Sequence, residues 1–338
     1  MSIKLQEYTE IPDGFLNCNA TELNQLLSGP SLIHLQGKHP QPLFVSIVQH
    51  GNEAAGLYAV QMLLKAYQNE ILPRSISIFV ANVSAAEVAA RRLPQQPDYN
   101  RMWLTEDSNC ELPEAKLMQK VMQIMKQKQP FASIDIHSNT GLNPHYACIN
   151  KLDNQFFHLA LLFSKTVVYF LQPDSVQSIA FSKMCPSVTL ECGQINDESG
   201  VIHAFEYLDA CLQLHEITES PVKKSDMDLF HTVATVTVPE QFSFSFSDNT
   251  QDIYFEPEIE IYNFKEIPAG TLIALSHPDK KAFLNVFDES KENVWQQYLE
   301  FSNNEFRLKK SLMPSMITTD EKIIRQDCLC YLMERHPF

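Results

Sequence analysis

Between Leu43 and about Leu214, short β-branched runs alternate with longer stretches whose apolar residues recur at helical spacing. A chain patterned in this way is confined to an α/β fold with a mixed, largely parallel sheet flanked by helices. Strands buried on two faces read as continuous apolar runs, and each parallel crossover needs a helix to cover the sheet. Leu43 to Val48 reads as a buried strand, and Glu53 to Tyr67 sets Ala55, Leu57, Val60, Leu63, Leu64 and Tyr67 on one helical stripe. Ser75 to Val80, after Pro73, reads as a second strand. Leu112 to Gln129 reads as a surface helix with Pro113 in its first turn, its methionines serving as core filler. Ser133 to Ile136, Thr166 to Phe170 and Ser187 to Leu190 supply further strands, with helices near Gln155 to Ser164 and Val201 to Leu214.

After Ser220 the texture changes. His231 to Val238 and Gln241 to Ser247 alternate with period two and no clear helix interrupts them, so a smaller β-rich C-terminal domain is expected. The boundary falls within Glu216 to Asp226, giving an α/β domain over 1–220 and a β-rich domain over 221–338. A length of 338 residues accommodates one large or two ordinary domains. Acidic residues outnumber Lys and Arg by 41 to 26, and the resulting charge of −15 repels phosphate backbones and anionic membrane surfaces. Nucleic acid and membrane are therefore not expected as partners. No apolar run approaches the roughly 20 residues that span a bilayer, and Met1 to Glu7 lacks an apolar core behind a basic start. A soluble, cytoplasmic protein is expected. The eight cysteines lack the dense spacing of a disulfide scaffold, which points to reduced thiols. Cys328 and Cys330, followed by His336, lack the two-residue gap of a zinc knuckle and read as packing residues or a strand end, with a second metal site as the other reading.

In open α/β sheets ligands gather at the carboxyl ends of strands. His50 follows the strand ending at Val48, His137 follows Ile134-Asp-Ile136, and Glu191 follows Val188-Thr-Leu190. One such residue is usually a satisfied polar group, but three are harder to dismiss. His50-Gly51-Asn52-Glu53 puts an imidazole at a strand exit and a carboxylate in the first helical turn, with Gly51 freeing the backbone to bring both onto one ion. A catalytic zinc takes three protein ligands and leaves a position for water, and His137 can supply the third. The other reading of Glu53 is a carboxylate serving the helix dipole. Arg91-Arg92-Leu-Pro-Gln-Gln-Pro-Asp98-Tyr-Asn100-Arg101 places three arginines in a Pro-punctuated loop, able to clamp a carboxylate through paired guanidinium hydrogen bonds or simply to be solvated.

His50-Gly-Asn-Glu53, Asp98-Tyr-Asn100-Arg101, Asp135-Ile-His137 and Leu190-Glu191-Cys-Gly193, in this order, resemble the zinc carboxypeptidase superfamily, especially its aspartoacylase and succinylglutamate desuccinylase branch. The motifs cover roughly residues 40 to 215, and the β-rich tail suits that branch's second domain. The resemblance implies one zinc per chain on His50, Glu53 and His137, with Glu191 as general base and acid. It implies Asn100 and Arg101 as the holders of a substrate carboxylate, and Arg92 or Arg91 as the group that polarises the scissile carbonyl. The branch sets that arginine one residue nearer the Asn-Arg pair, where this chain has Leu93, so the choice between Arg91 and Arg92 is open. Aspartoacylases carry an arginine shortly before the catalytic glutamate for the acyl-side carboxylate, whereas this chain has Phe181-Ser-Lys183-Met-Cys. Tyr146, Tyr254 and Tyr262 are candidates for a substrate-capping tyrosine or are core residues, and His145 reads as a rim or polar loop residue. The expected activity is zinc-dependent hydrolysis of an amide bond next to a free carboxylate, on a small acylated amino acid or short peptide. The alternative is a non-catalytic metal- or ligand-binding protein on the same scaffold, which would have no use for a spare base such as Glu191.

Overall fold

The computed structural model describes residues 3–104 and 110–337; Met1 and Ser2, the start of the segment read for a leader, lie outside the described residues. The chain forms two compact units, Met1–Ser138 with His145–Asp228, and Asn139–Pro144 with Leu229–Phe338.

The first unit is built on strands β1 (Gln6–Tyr8), β2 (Ser31–Leu35), β3 (Gly37–Ile47), β4 (Leu72–Val80), β5 (Ala132–Asn139), β6 (His145–Ile149), β7 (Thr166–Tyr169) and β8 (Ser187–Gln194). They lie in the order β1-β2-β4-β3-β5-β8-β6-β7. The pairs β1/β2, β3/β4, β3/β5 and β6/β7 are parallel, while β2/β4 and β6/β8 are antiparallel, which is the mixed and largely parallel sheet that the alternating pattern requires. The helices are α1 (Leu23–Leu27), α2 (Ala55–Ala66), α3 (Val83–Ala86), α4 (Pro113–Lys128), α5 (Asn154–Leu161), α6 (Gln177–Phe181) and α7 (Glu198–Gln213). They cover both faces of the sheet. On one, Gly56 of α2 lies directly against Ile47 and Ile136. On the other, Phe44 and Phe79 share a core with Trp103, Phe181 and the Leu117, Met118, Val121 and Met125 stripe of α4. At about 25 cal/mol per Å² of apolar surface removed from water, such a core supplies the main driving force for the unit.

Several boundaries differ from the sequence pattern. β4 begins at Leu72 and runs through Pro73, and β3 begins at Gly37, because the two strands pair beyond the apolar stretch before a register shift between His39 and Leu43. β5 continues through His137 to Asn139, and β8 continues through Glu191 to Gln194, so both residues lie within strands rather than after them. β8 continues because β6, a strand that the pattern did not reveal, pairs with it antiparallel and sets Tyr146 opposite Glu191 and His145 opposite Cys192. His145 therefore opens a strand and is not a loop residue.

In the second unit β9 (Asp228–Thr237) carries β17 (Cys330–Arg335) and β13 (Asn285–Phe287), with β16 (Met313–Ser315) on β17. A five-stranded sheet runs β10-β11-β12-β15-β14, from β10 (Phe244–Ser245), β11 (Ile253–Phe255), β12 (Leu272–Ser276), β14 (Leu299–Ser302) and β15 (Glu305–Leu308). β10 is shorter than the alternation in Gln241 to Ser247 suggests, since the Ser245 hydroxyl accepts from the Ser247 and Asp248 amides and ends it in a turn. Two short helices, α8 (Trp295–Tyr298) and α9 (Glu321–Gln326), also interrupt the β pattern. Cys328 and Cys330 are buried and form no disulfide, and burial pushes the Cys330 thiol up to about 12, as befits packing. Among the described residues no helix is long and apolar enough to cross a membrane.

The exit of β3 is the local geometry on which the site depends. Val48 is β-branched and fully buried yet sits at φ 57°, a conformation such residues avoid. It is held there because the Asn82 amide donates to its carbonyl at 2.8 Å and the Ala81 amide donates to Ile47 at 3.1 Å. Gly51 then passes so close to α3 that a Cβ would lie 2.2 Å from the Ala86 nitrogen and 2.3 Å from the Ala85 carbonyl carbon. Its glycine answers a close approach of two backbones, not a need for unusual dihedrals. Gly51→Ala should therefore cost on the order of 2 kcal/mol or more in unfolding free energy, measured by urea denaturation. A variant as stable as wild type would show that the turn and α3 do not pack in this way.

Candidate metal centre and active site

His50, Glu53 and His137 offer ligand atoms that all lie within 4.8 Å of one another, and all three side chains are buried. The β3 exit turn supplies His50, and the Glu53 amide donates back to the His50 carbonyl at 3.1 Å. Glu53 itself lies one residue before Ala54, the N-cap of α2, rather than in the first helical turn. His137 comes from β5, next to β3 in parallel register. The carboxylate is shared: its Oε1 is 2.7 Å from His50 Nδ1 and its Oε2 is 2.8 Å from His137 Nδ1. The Ser138 amide also donates to Oε2 at 3.2 Å.

Behind each imidazole stands a second carboxylate. His50 Nε2 is 3.0 Å from Asp98 Oδ1, and His137 Nε2 is 3.0 Å from Asp135 Oδ2. With Nε2 of each ring held on one of these oxygens, Nδ1 is the nitrogen left to face Glu53 or a metal ion, the arrangement by which outer carboxylates orient metal-ligating histidines. Asp135 is fully buried and is itself fixed, accepting from the Ser46 hydroxyl at 2.7 Å, Gln49 Nε2 at 2.6 Å and Asn100 Nδ2 at 3.2 Å. Gln49 is in turn held by Trp103 Nε1, which donates to Gln49 Oε1 at 2.6 Å, and lies 3.2 Å from Gln177 Oε1.

The electrostatics call for a cation. Burial and nearby Arg91 would lower the His50 imidazole, yet Glu53 and Asp98 outweigh them and raise it. Burial would also lower His137, but Asp135 and Glu53 hold it well above its ordinary value. Burial would raise Glu53, and the two imidazoles instead pull it far below the usual carboxylate range. Asp98 is held well below its ordinary value by His50 and Arg91, which overcome the effect of burial. The carboxylates thus favour a proton on either imidazole, and the imidazoles favour charged carboxylates.

Glu191, buried on β8, is the exception. Burial, with Glu53 and Asp135 adding repulsion against the attraction of His137 and His50, pushes its carboxyl up to about 8. Its Oε2 is buried without a hydrogen-bond partner. A desolvated carboxyl with an uncommitted oxygen is suited to moving a proton near neutral pH.

The arginines separate. Arg91 reaches the cluster, with Nη2 donating to Asp98 Oδ2 at 2.9 Å and Nη1 3.9 Å from Glu53 Oε1. Arg92 instead donates through Nη1 to the Gln96 carbonyl at 2.8 Å. Arg101 donates to the Asn100 carbonyl at 3.0 Å and adds to the field that lowers Asp98. Asn100 is buried and turned inward: besides Asp135, its Nδ2 is 3.0 Å from His137 Nε2 and its Oδ1 accepts from the Gln177 amide at 3.0 Å. Asp98 and Asp135 stand in the sequence motifs but gained no role from spacing. Asp135 could have been found, since two residues before His137 on a strand puts it on the same face. Gln49, Trp103 and Gln177 come from three separate segments and leave no local signal.

Residues 41–204 match the family model for the succinylglutamate desuccinylase/aspartoacylase catalytic domain. The chain adopts the zinc carboxypeptidase-like fold in the form of its aspartoacylase and desuccinylase branch. It is similar to the crystal structure of succinylglutamate desuccinylase from Chromobacterium violaceum, at a TM-score of 0.58 and 15% identity over 88% of this chain and 86% of that one. The corresponding enzyme of Vibrio parahaemolyticus gives 0.59 and 13% over 90% and 86%. Murine aminoacylase 3 gives 0.58 and 16% over 88% and 96%. Among curated proteins none matches this chain in sequence.

The raised Glu191 carboxyl makes a prediction about stability. Its folded value of about 8 lies above the ordinary 4.5, so between these the folded metal-free chain keeps a proton that the unfolded chain has released. Stability is therefore lost as pH rises through that window, and Glu191→Gln removes the loss. The melting temperature of metal-free Glu191→Gln should gain on metal-free wild type between about pH 5 and about pH 8. A gap that does not change with pH would contradict the raised value.

Proposed function

We propose that this protein is a zinc-dependent hydrolase of an amide bond adjacent to a free carboxylate, of the N-acyl amino acid deacylase or carboxypeptidase type. The observation that carries the reading is the three-ligand cluster on the same sheet as a buried carboxylate whose free oxygen has no partner. The match of residues 41–204 to a catalytic domain of deacylases supports it. In this reading 1–220 is the hydrolase domain and 221–338 the β-rich one.

The donor set fits zinc: two imidazoles and one carboxylate, with both outer nitrogens held by carboxylates. Held by His50, Glu53 and His137, zinc supplies Lewis-acid polarisation and a water that is acidic near neutral pH. Glu191 receives the proton of the attacking water and passes it to the departing amine. Arg91, against the cluster, faces the oxyanion that develops on the scissile carbonyl; Arg92, the other candidate, is engaged with Gln96. Arg101 anchors the substrate carboxylate through its planar guanidinium. Asn100, beside Arg101 at the substrate carboxylate in this reading, also donates to Asp135 through Nδ2. The substrates are small acylated amino acids or short peptides with a free carboxylate.

Glu191→Gln should keep the fold and its zinc while lowering turnover on the order of 100-fold or more, since Gln is nearly isosteric and accepts no proton. Unimpaired turnover of an N-acyl amino acid by this variant would remove Glu191 from the reaction. Arg101→Ala, assayed on one N-acyl amino acid and its carboxamide, should abolish a wild-type preference for the free acid through a rise in KM, with zinc content unchanged. A preference that survives the substitution would place the anchor elsewhere.

A further inference from the structure

A second pair of imidazoles meets away from the site described, here nitrogen to nitrogen with no carboxylate between them. His145 Nδ1 on β6 and His203 Nδ1 on α7 are 2.9 Å apart. The two rings lie on the opposite face of the sheet from Glu191: His145 is in register with Cys192, side chains alternate across a strand, and α7 covers the Cys192 side, with Gly200 directly against the Cys192 carbonyl. Each ring has another polar neighbour. His145 Nε2 is 3.7 Å from Asp197 Oδ2, and the His203 ring is hydrogen-bonded to the Phe163 backbone. Without a metal one Nδ1 carries the proton and donates it to the other; a cation that displaces that proton finds both nitrogens side by side.

The surroundings are shaped for the pair. Gly193, at φ 76°, leaves the space that His145 fills; a Cβ there would lie 2.8 Å from His145 Nε2 and 3.1 Å from Asp197 Oδ2. Asp197 is fixed as the N-cap of α7, accepting from the Ser199 amide at 2.9 Å. The Phe163 ring stacks on His203 with centroids 4.1 Å apart and sets its plane. The His145 and Asp197 side chains are 24% and 39% exposed, so an ion in solution can reach them. Nitrogens on one transition metal at roughly 2.0–2.1 Å each stand about 2.9–3.4 Å apart for right-angle to tetrahedral arrangements, a range that contains the observed separation.

We propose that His145 and His203 form a second transition-metal site, distinct from the His50–Glu53–His137 cluster, that takes a divalent ion favoured by imidazole, such as Zn²⁺ or Cu²⁺, and ties β6 to α7. Two nitrogens come from the protein and water completes the coordination. With two protein ligands in place of three, this site is the weaker of the two. Asp197, 3.7 Å from His145 Nε2, adds a negative charge beside the pair.

The test uses the full chain, stripped with chelator and titrated with Zn²⁺ against a competing indicator. Wild type should bind two equivalents, one tight and one weaker. His203→Asn and His145→Gln should each lose the weaker equivalent alone, and His50→Ala should lose the tight one alone. On the His50→Ala chain, Cu²⁺ should show an electron paramagnetic resonance signal split by two imidazole nitrogens, which the added His203→Asn substitution removes. Melting temperatures of the stripped variants establish that each is folded, and His145→Gln decides the matter if His203→Asn is not. A wild-type stoichiometry that His203→Asn and His145→Gln leave unchanged, or a Cu²⁺ signal indifferent to His203, would each overturn the proposal, whatever the outcome for the hydrolase reading.

Discussion

Two imidazoles share one carboxylate at the centre of the first unit, and each is backed by a carboxylate of its own. Glu53, Asp98, Asp135 and Glu191 thus gather around two histidines in a place shielded from water, with Arg91 as a nearby fixed cation. Like charges at short range in low dielectric are costly, and either protons or a cation must offset them. The carboxylates raise both imidazoles and so favour protons on them where no cation is held. A divalent ion would displace those protons and leave Glu191 beside a positive charge, ready to ionise and act as a base.

The remaining structure can be understood as support for that centre. β3 and β5 run parallel and adjacent, so His50 at the exit of one and His137 near the end of the other meet without a long connection. The left-handed Val48 and the tight passage of Gly51 against α3 fix where His50 emerges. Asp135 is held by Ser46, Gln49 and Asn100, and Gln49 by Trp103, whose indole is packed edge-on against Phe79 and Phe181. The hydrophobic core under α4 is thereby linked through a chain of hydrogen bonds to the orientation of His137. Catalytic geometry that depends on a few tenths of an ångström is best carried by residues whose own rotamers are locked in this manner.

Much of this was legible in the sequence. Strand periodicity located the three ionisable positions, and the spacing of His50 and Glu53 brought two candidate ligands to one turn. The strand ends were set too early at Ile136 and Leu190; for β8 the reason is its pairing with β6, which local pattern does not encode. The choice between Arg91 and Arg92 could not be read either, since adjacent loop residues differ only in where the loop turns them: one toward Asp98, the other toward Gln96. The place of Asn100 beside Arg101 gave no sign that its amide also meets Asp135 and the Gln177 backbone. Polar networks drawn from distant segments are invisible to spacing arguments, and the Gln49, Trp103 and Gln177 contacts are of that kind.

The central claim is that His50, Glu53 and His137 hold one zinc on which hydrolysis depends. Its most direct test is zinc content per chain, measured together with turnover of a panel of N-acyl amino acids, on wild type and Glu53→Gln. The predicted result is about one tightly held zinc in wild type, loss of both metal and turnover in Glu53→Gln, and return of activity when zinc is restored to chelator-treated wild type. Full turnover in a metal-free wild-type sample, or tight zinc binding that survives Glu53→Gln unchanged, would contradict the account.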